Sequence, residues 1–134
     1  MAFTEPEFQL QEEDLDERTH VIAVSGEIHV STAPEFQRGL DAAIARGKTA
    51  VVLDLSQTEF IDSTGLSVLL NGLRKVTRQR GRMALVCTNP TVLRLFEITR
   101  LTSTFDIHDS RDAAVRAARA GYVATAEGSS DGAP

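Results

Sequence analysis

One cysteine, Cys87, is all that 134 residues contain. That excludes a disulfide framework within the chain and points to a reducing, cytoplasmic setting. No apolar run approaches the roughly 20 residues a membrane helix needs, so no membrane span is expected. The opening stretch MAFTEPEFQLQEEDLDE lacks both a basic start and an apolar segment, which argues against a signal peptide. There is no Walker A loop and no GxGxxG, hence no phosphate cradle. His20, His29 and His108 are scattered, and with Cys87 they show no metal-ligand spacing, so neither metal nor cofactor is expected. The GxSxG elbow is absent and no histidine stands in a recognisable relation to a serine, so the chain is not expected to be an enzyme. No internal repeat is present.

What is there is an ordinary globular balance, 42% hydrophobic and 25% charged, in a length that suits one domain with a self-sufficient core. The net charge is −5, but residues 1–17 carry seven acidic and no basic side chains, so the remainder is at +2. A solvated strand edge or tail is the plainest reading of that acidity. Between Ser63 and Phe96 the chain has six cations and no acid: Arg74, Lys75, Arg78, Arg80, Arg82 and Arg94. No aromatic residues are interleaved with them and the whole chain is acidic. Cations opposing a helix C-terminal dipole explain them better than a nucleic-acid surface.

The spacing of apolar residues predicts the order β-β-α-β-α-β-α-β-α. Phe8–Gln11 and Val21–Val24 read as a hairpin joined by a polar turn through Asp14–Arg18. Thr32 with Glu35 fits a capping box, opening a helix with Ala33, Phe36, Leu40, Ala43 and Ile44 on one face and Gly47 at its end. Met83–Cys87 is an apolar strand. Asn89-Pro90 opens a short helix, Thr104–Ile107 reads as an edge strand, and Asp109 or Ser110 caps a last helix ended by Gly121. Residues 1–121 are expected to form the domain and 122–134 a disordered tail. Strands alternating with helices imply a mixed, mostly parallel sheet of four or five strands carrying about four helices.

Everything else is arranged around Val51–Leu70. Ala50, Val51, Val52, Leu53 and Leu55 form a short β-branched run suited to a strand buried on both faces. Helical spacing then begins, with Leu66, Leu69, Leu70, Leu73 and Val76 on one face. FIDSTG lies between the two, with Asp62 or Ser63 as a natural N-cap. A serine hydroxyl is thus displayed at a helix N-terminus, at the end of the sheet where α/β proteins usually carry their sites. From local sequence alone a mere cap is the commoner explanation. The position would nevertheless make a good switch. A phosphate there adds about −1.5 to −2 charges beside Glu59 and Asp62, and the helix dipole offsets part of this locally. Cys87, inside an apolar strand, reads as a small buried hydrophobe.

Three segments in order carry a resemblance: GEIHVSTAPEF, then LDLS with FIDSTGL and its leucine-striped helix, then NPTVLRLFEITRL. Together they resemble the STAS domain, and within it the small anti-sigma factor antagonists (anti-anti-sigma factors) of bacteria, over about Phe8–Gly121. The resemblance implies a phosphorylation-controlled binding module of transcription regulation and the stress response, working by partner switching. The unmodified form would bind an anti-sigma factor that is also a serine kinase, freeing a sigma factor. The kinase would phosphorylate Ser63, with Thr64 the runner-up, and a PP2C-type phosphatase would restore the active form. Asp62, Ser63, Thr64, Gly65 and Leu66 would lie in the interface, with Glu59, His29, Thr32 and Asp54 as neighbours. Two positions depart from the family pattern: His29 stands where an Asp is usual, and Thr64 where a second serine is common. The alternative is a STAS subunit of a larger assembly, a lipid-transporting ABC complex or a stress-sensing scaffold, without obligatory phosphorylation. Self-association is left open. A weak homodimer would have to overcome like-charge repulsion at the acidic edge.

Overall fold

The computed structural model describes residues 8–127, with side chains through residue 120. Nine elements follow in order: β1 (Gln9–Asp14), β2 (Thr19–Ile28), α1 (Ala33–Ala45), β3 (Ala50–Ile61), α2 (Ser63–Arg78), β4 (Arg82–Val86), α3 (Pro90–Ile98), β5 (Asp106–His108) and α4 (Arg111–Glu127). The strands lie in the order β1-β2-β3-β4-β5, with β1 antiparallel to β2 and all other pairs parallel. The order and the mixed sheet are those expected from the sequence.

Each face of the sheet has its own core. Val51, Leu53, Leu55 and Ile61 of β3 pack with Ile22, Val24 and Ile28 of β2 under α1, α2 and α3, which contribute Phe36, Leu40, Leu69, Val76, Val92 and Phe96. On the other face smaller residues, Val21, Val52, Ala84 and Val86, meet Ala114, Val115 and Ala118 of α4. Alternation along β2 and β3 thus feeds two cores from the same strands, which is why both read as nearly continuous apolar runs.

β3 runs six residues past Leu55, the last position its apolar run marks. The cause is register. Asp54 pairs with Ala23, but the next partners are Gln57 with Ser25, Thr58 with Gly26, and Phe60 with Glu27. β3 therefore carries an extra residue twice, and its buried positions on the helix-rich face go from spacing two (51, 53, 55) to spacing three (58, 61). Bulges of this kind bend a strand and re-aim its side chains beside functional sites.

Three other features differ from expectation. Thr32 occupies the N-cap position of α1, but its side chain makes no cap hydrogen bond, so there is no capping box. The hydroxyl donates to the Glu27 carbonyl at 2.7 Å and accepts from the His29 amide at 3.0 Å, holding the turn before the helix. β5 lies at Asp106–His108, because Thr104 and Phe105 form a turn whose amides bond back to the Leu101 carbonyl. α4 continues through Gly121 to Glu127; a helical glycine costs only about 1 kcal/mol relative to alanine. Of the expected tail, residues 128–134 lie outside the described residues, as do residues 1–7 of the acidic stretch.

The acidity of the described part of that stretch is more than a solvated edge. His20, 2% exposed, has Nδ1 2.5 Å from Asp14 and Nε2 2.8 Å from Glu12. Arg46 and Lys48 approach Asp14 at 3.2 and 3.4 Å, and Arg119 of α4 meets Asp16 at 2.8 Å. Both carboxyls sit at about 2, Asp14 chiefly through His20 and Asp16 chiefly through the Arg18 amide. Among the described residues no helix is long and apolar enough to cross a membrane, and no group of three or more His, Cys, Asp or Glu is placed to hold a metal ion.

Candidate functional site

The C-terminal ends of β2 and β3 deliver two loops to one pole of the sheet. They are joined by a hydrogen bond from the Asp62 amide to the Ile28 carbonyl at 3.0 Å. Asp62 is extended (φ −99°, ψ −173°) and its carboxylate accepts from the Gly65 amide at 2.9 Å. That is the N-cap bond of α2, satisfying an amide the first turn leaves unpaired. With Asp62 performing the capping, Ser63 is released from it. Ser63 is exposed, and among the described residues its hydroxyl has no hydrogen-bond partner; only its carbonyl is engaged, by Ser67 at 3.1 Å.

The backbone beneath the serine is held by close packing. A Cβ on Gly65 would stand 2.7 Å from Ile61 Cγ2 and 2.8 Å from Ile28 Cγ2. Only glycine lets the first turn of α2 sit this low on the two strand ends. Leu66, 7% exposed, anchors the same turn in the core. Gly65 and Leu66 therefore support the site from below, while Thr64 is half-buried beside the exposed Ser63.

In the neighbouring loop, His29 is half-buried. Its Nδ1 accepts from the Ser31 amide at 3.2 Å, which places its proton on Nε2, 3.8 Å from Glu27. The His29 carbonyl takes the amides of Thr32 and Ala33. Glu59, the unopposed residue of the second bulge, is exposed. Ser63 thus stands at a pole that also carries Glu27, Glu59 and Asp62.

Asp54 is not part of this group. It lies eight residues back along β3, on the α4 face, bound by Ser56 Oγ at 2.6 Å and by two nitrogens of Arg111 at 2.9 and 3.0 Å. Burial is the largest influence on its carboxyl and opposes ionisation, but the Ser56 and Arg111 hydrogen bonds outweigh it and hold the group below the usual carboxylate range. Its work is to fasten α4 to the sheet. Cys87 is buried, and desolvation raises its thiol pKa, as befits a packing residue.

Two residues at this pole escape sequence reasoning. Val30 and Phe60 are 68% and 43% exposed, large apolar groups beside the strand ends that carry Ser63. Phe60 is turned outward by the bulge at Glu59, and an apolar residue between acidic ones (Glu59, Asp62) is the only trace it leaves in the sequence. Exposed apolar side chains rimmed by charge are what a protein interface presents.

The STAS domain model matches residues 12–114. The anti-sigma-B factor antagonist of Listeria monocytogenes is 30% identical over 100 residues, covering 74% of this chain and 85% of the relative. The anti-sigma F factor antagonist of Paenibacillus polymyxa is 32% identical over 91 residues, covering 67% and 78%. The crystal structure of an anti-sigma factor antagonist from Mycobacterium paratuberculosis superposes with a TM-score of 0.77 at 34% identity, covering 84% of this chain and 95% of that one.

Proposed function

The chain belongs to the STAS domain family, and we propose that it is an anti-sigma factor antagonist switched by phosphorylation at Ser63. In its unmodified form it binds an anti-sigma factor that is also a serine kinase, so that a sigma factor is freed. The protein is a regulatory binding protein rather than an enzyme: it is the kinase's ligand and substrate, working in the cytoplasm. The names of its relatives support the antagonist role. The observation that carries the switch is the Ser63 hydroxyl, exposed and uncommitted because Asp62 has taken the cap.

The chemistry requires little of this chain. The kinase transfers the γ-phosphoryl group of its ATP to Ser63 Oγ; the new O–P bond forms as the bond to ADP breaks, and the serine proton passes to a base of the kinase. A PP2C-type phosphatase returns the serine by hydrolysis. The fold tolerates the product, since the phosphate projects into water at a helix N-terminus, where the dipole favours an anion. The interface does not. A charge of about −1.5 to −2 joins Glu27, Glu59 and Asp62 beside the apolar anchors Val30 and Phe60, and must be desolvated against a partner shaped for a neutral serine. Thr64 is the lesser acceptor because its side chain is half-buried.

Pull-downs from source-cell lysate with wild type, Ser63→Ala and Ser63→Asp as baits test this reading. Capture of an ATP-binding serine kinase by the first two and not the third is the expected result. Capture of ABC-transporter or scaffold subunits equally by all three would leave Ser63 a mere helix residue and favour a structural subunit.

A further inference from the structure

We infer that the chain carries a second ligand site, at the pole opposite Ser63, for a small organic anion with an apolar body. A cleft of about 510 Å³ opens there between the C-terminal end of α2 and the loop joining α3 to β5. Its floor is core: Met83 is 2% and Phe105 4% exposed, and Leu73 completes the apolar wall. Its rim is formed by the exposed residues Thr77, Arg80, Ser103 and Thr104. The other lining cation, Arg82, already faces Asp106 at 3.4 Å, whereas Arg80 has no ion-pair partner among the described residues. An apolar floor with a few convergent polar groups and one uncompensated cation, in a volume of several hundred Å³, is the make-up of a small-molecule site. The charge of the occupant follows from Arg80.

The backbone at Arg80 supplies an independent argument. α1 ends with Gly47 at φ +89°, its amide bonded to the Ile44 carbonyl and the next amide to the Ala43 carbonyl. α2 ends with the same pair of bonds, Arg80 to Thr77 and Gly81 to Val76, and α3 likewise, Arg100 to Glu97 and Leu101 to Phe96. Here, however, the left-handed residue is an arginine, at φ 63° and 61°. That position favours glycine, so both arginines are held in a conformation that lowers stability. Such strain is a reason to ask what the side chain does beyond the fold, and of the two arginines it is Arg80 that lines the cleft. Arg100 sits three residues before Ser103 of its opposite wall. The occupant is therefore a carboxylate or phosphate monoester, its head on Arg80 and the rim hydroxyls and its apolar part on Leu73, Met83 and Phe105.

The same left-handed geometry yields a variant that cannot fail by unfolding. Arg80→Gly removes the guanidinium and relaxes the backbone. The isotope-labelled full chain is titrated with octyl phosphate, octanoate and inorganic phosphate, following methyl and amide shifts. Saturable shifts at Leu73, Met83 and Phe105 with an octyl compound are expected, weakened roughly tenfold in Arg80→Gly, with a melting temperature equal to or above wild type. Whichever of octyl phosphate and octanoate binds more tightly names the head group. The inference is overturned by unsaturable or scattered shifts, by equal affinity in Arg80→Gly, or by inorganic phosphate binding as tightly as octyl phosphate. Ser63→Ala should titrate like wild type, so this result stands or falls apart from the switch at the other pole.

Discussion

Helices α1 and α2 begin side by side at one pole of the sheet, each preceded by a residue able to cap it, yet the two N-termini are built differently. At α1 the Thr32 hydroxyl turns away from the helix and is consumed by the Glu27 carbonyl and the His29 amide. At α2 the Asp62 carboxylate turns into the helix and takes the Gly65 amide. The first loop spends its hydroxyl on shape. The second delegates capping to a carboxylate and leaves the following hydroxyl, Ser63, in water. A residue that pins a loop cannot also be modified without disturbing it; one whose structural duty is performed by its neighbour can.

The largest expected effect is on binding at α2. Ser63→Asp should lower affinity for the captured anti-sigma factor by at least about tenfold, measured by calorimetry, while Ser63→Ala stays near wild type and both melt within about 0.5 kcal/mol of it. Unequal melting with equal binding would reverse the comparison. Next in size is Gly65→Ala. Its Cβ would meet Ile61 and Ile28 at under 3 Å, and overpacking of this sort costs about 1–3 kcal/mol in denaturant unfolding.

Smaller are the losses from the two capping residues themselves. Asp62→Ala should cost about 1 kcal/mol, recovered in Asp62→Asn, which still accepts from Gly65. Thr32→Val should cost about 1 kcal/mol through loss of its hydrogen bonds to the Glu27 carbonyl and the His29 amide, recovered in Thr32→Ser. If Thr32→Val instead frayed α1 itself, seen as faster amide exchange at Glu35 and Phe36, the hydroxyl would be a cap after all.

The smallest change at these two loops is expected from acid. Among the described residues, Asp14, Asp16 and Asp54 are the carboxyls held below their ordinary values, Asp14 and Asp16 at about 2. A depressed native value means stability that is present above the unfolded value and lost as pH falls through the folded one. Lowering the pH from about 4 to about 2 should therefore loosen the β1–β2 turn and α4 first. Amide exchange at the α2 N-terminus should follow only with global unfolding.

Much of this is legible in the sequence. FIDSTGL at a change of hydrophobic period placed Ser63 at a helix start, and the apolar spacing located all nine elements. The capping assignment was half legible, since Asp62 and Ser63 are equally good caps on paper and only the extended backbone of Asp62 decides between them. Thr32 reads as a capping box because Glu35 stands three residues on; competition from the Glu27 carbonyl, five residues back in the preceding turn, overrides that pattern. The end of β3 was hidden because two bulges change its burial period from two to three, and Phe60 as an exposed anchor was hidden with it. His20 gave no local sign of its carboxylate partners, because strand pairing alone brings Glu12 and Asp14 to it.

The most direct test of the account is to map the phosphate. The full-length protein is incubated with its captured kinase and ATP, digested, and sequenced by fragmentation mass spectrometry. The account predicts phosphate on Ser63, with Thr64 and Thr32 unmodified and the product released from the kinase. Phosphate on Thr32 or Thr64 with Ser63 bare, or a Ser63-phosphorylated protein that stays bound, would contradict it.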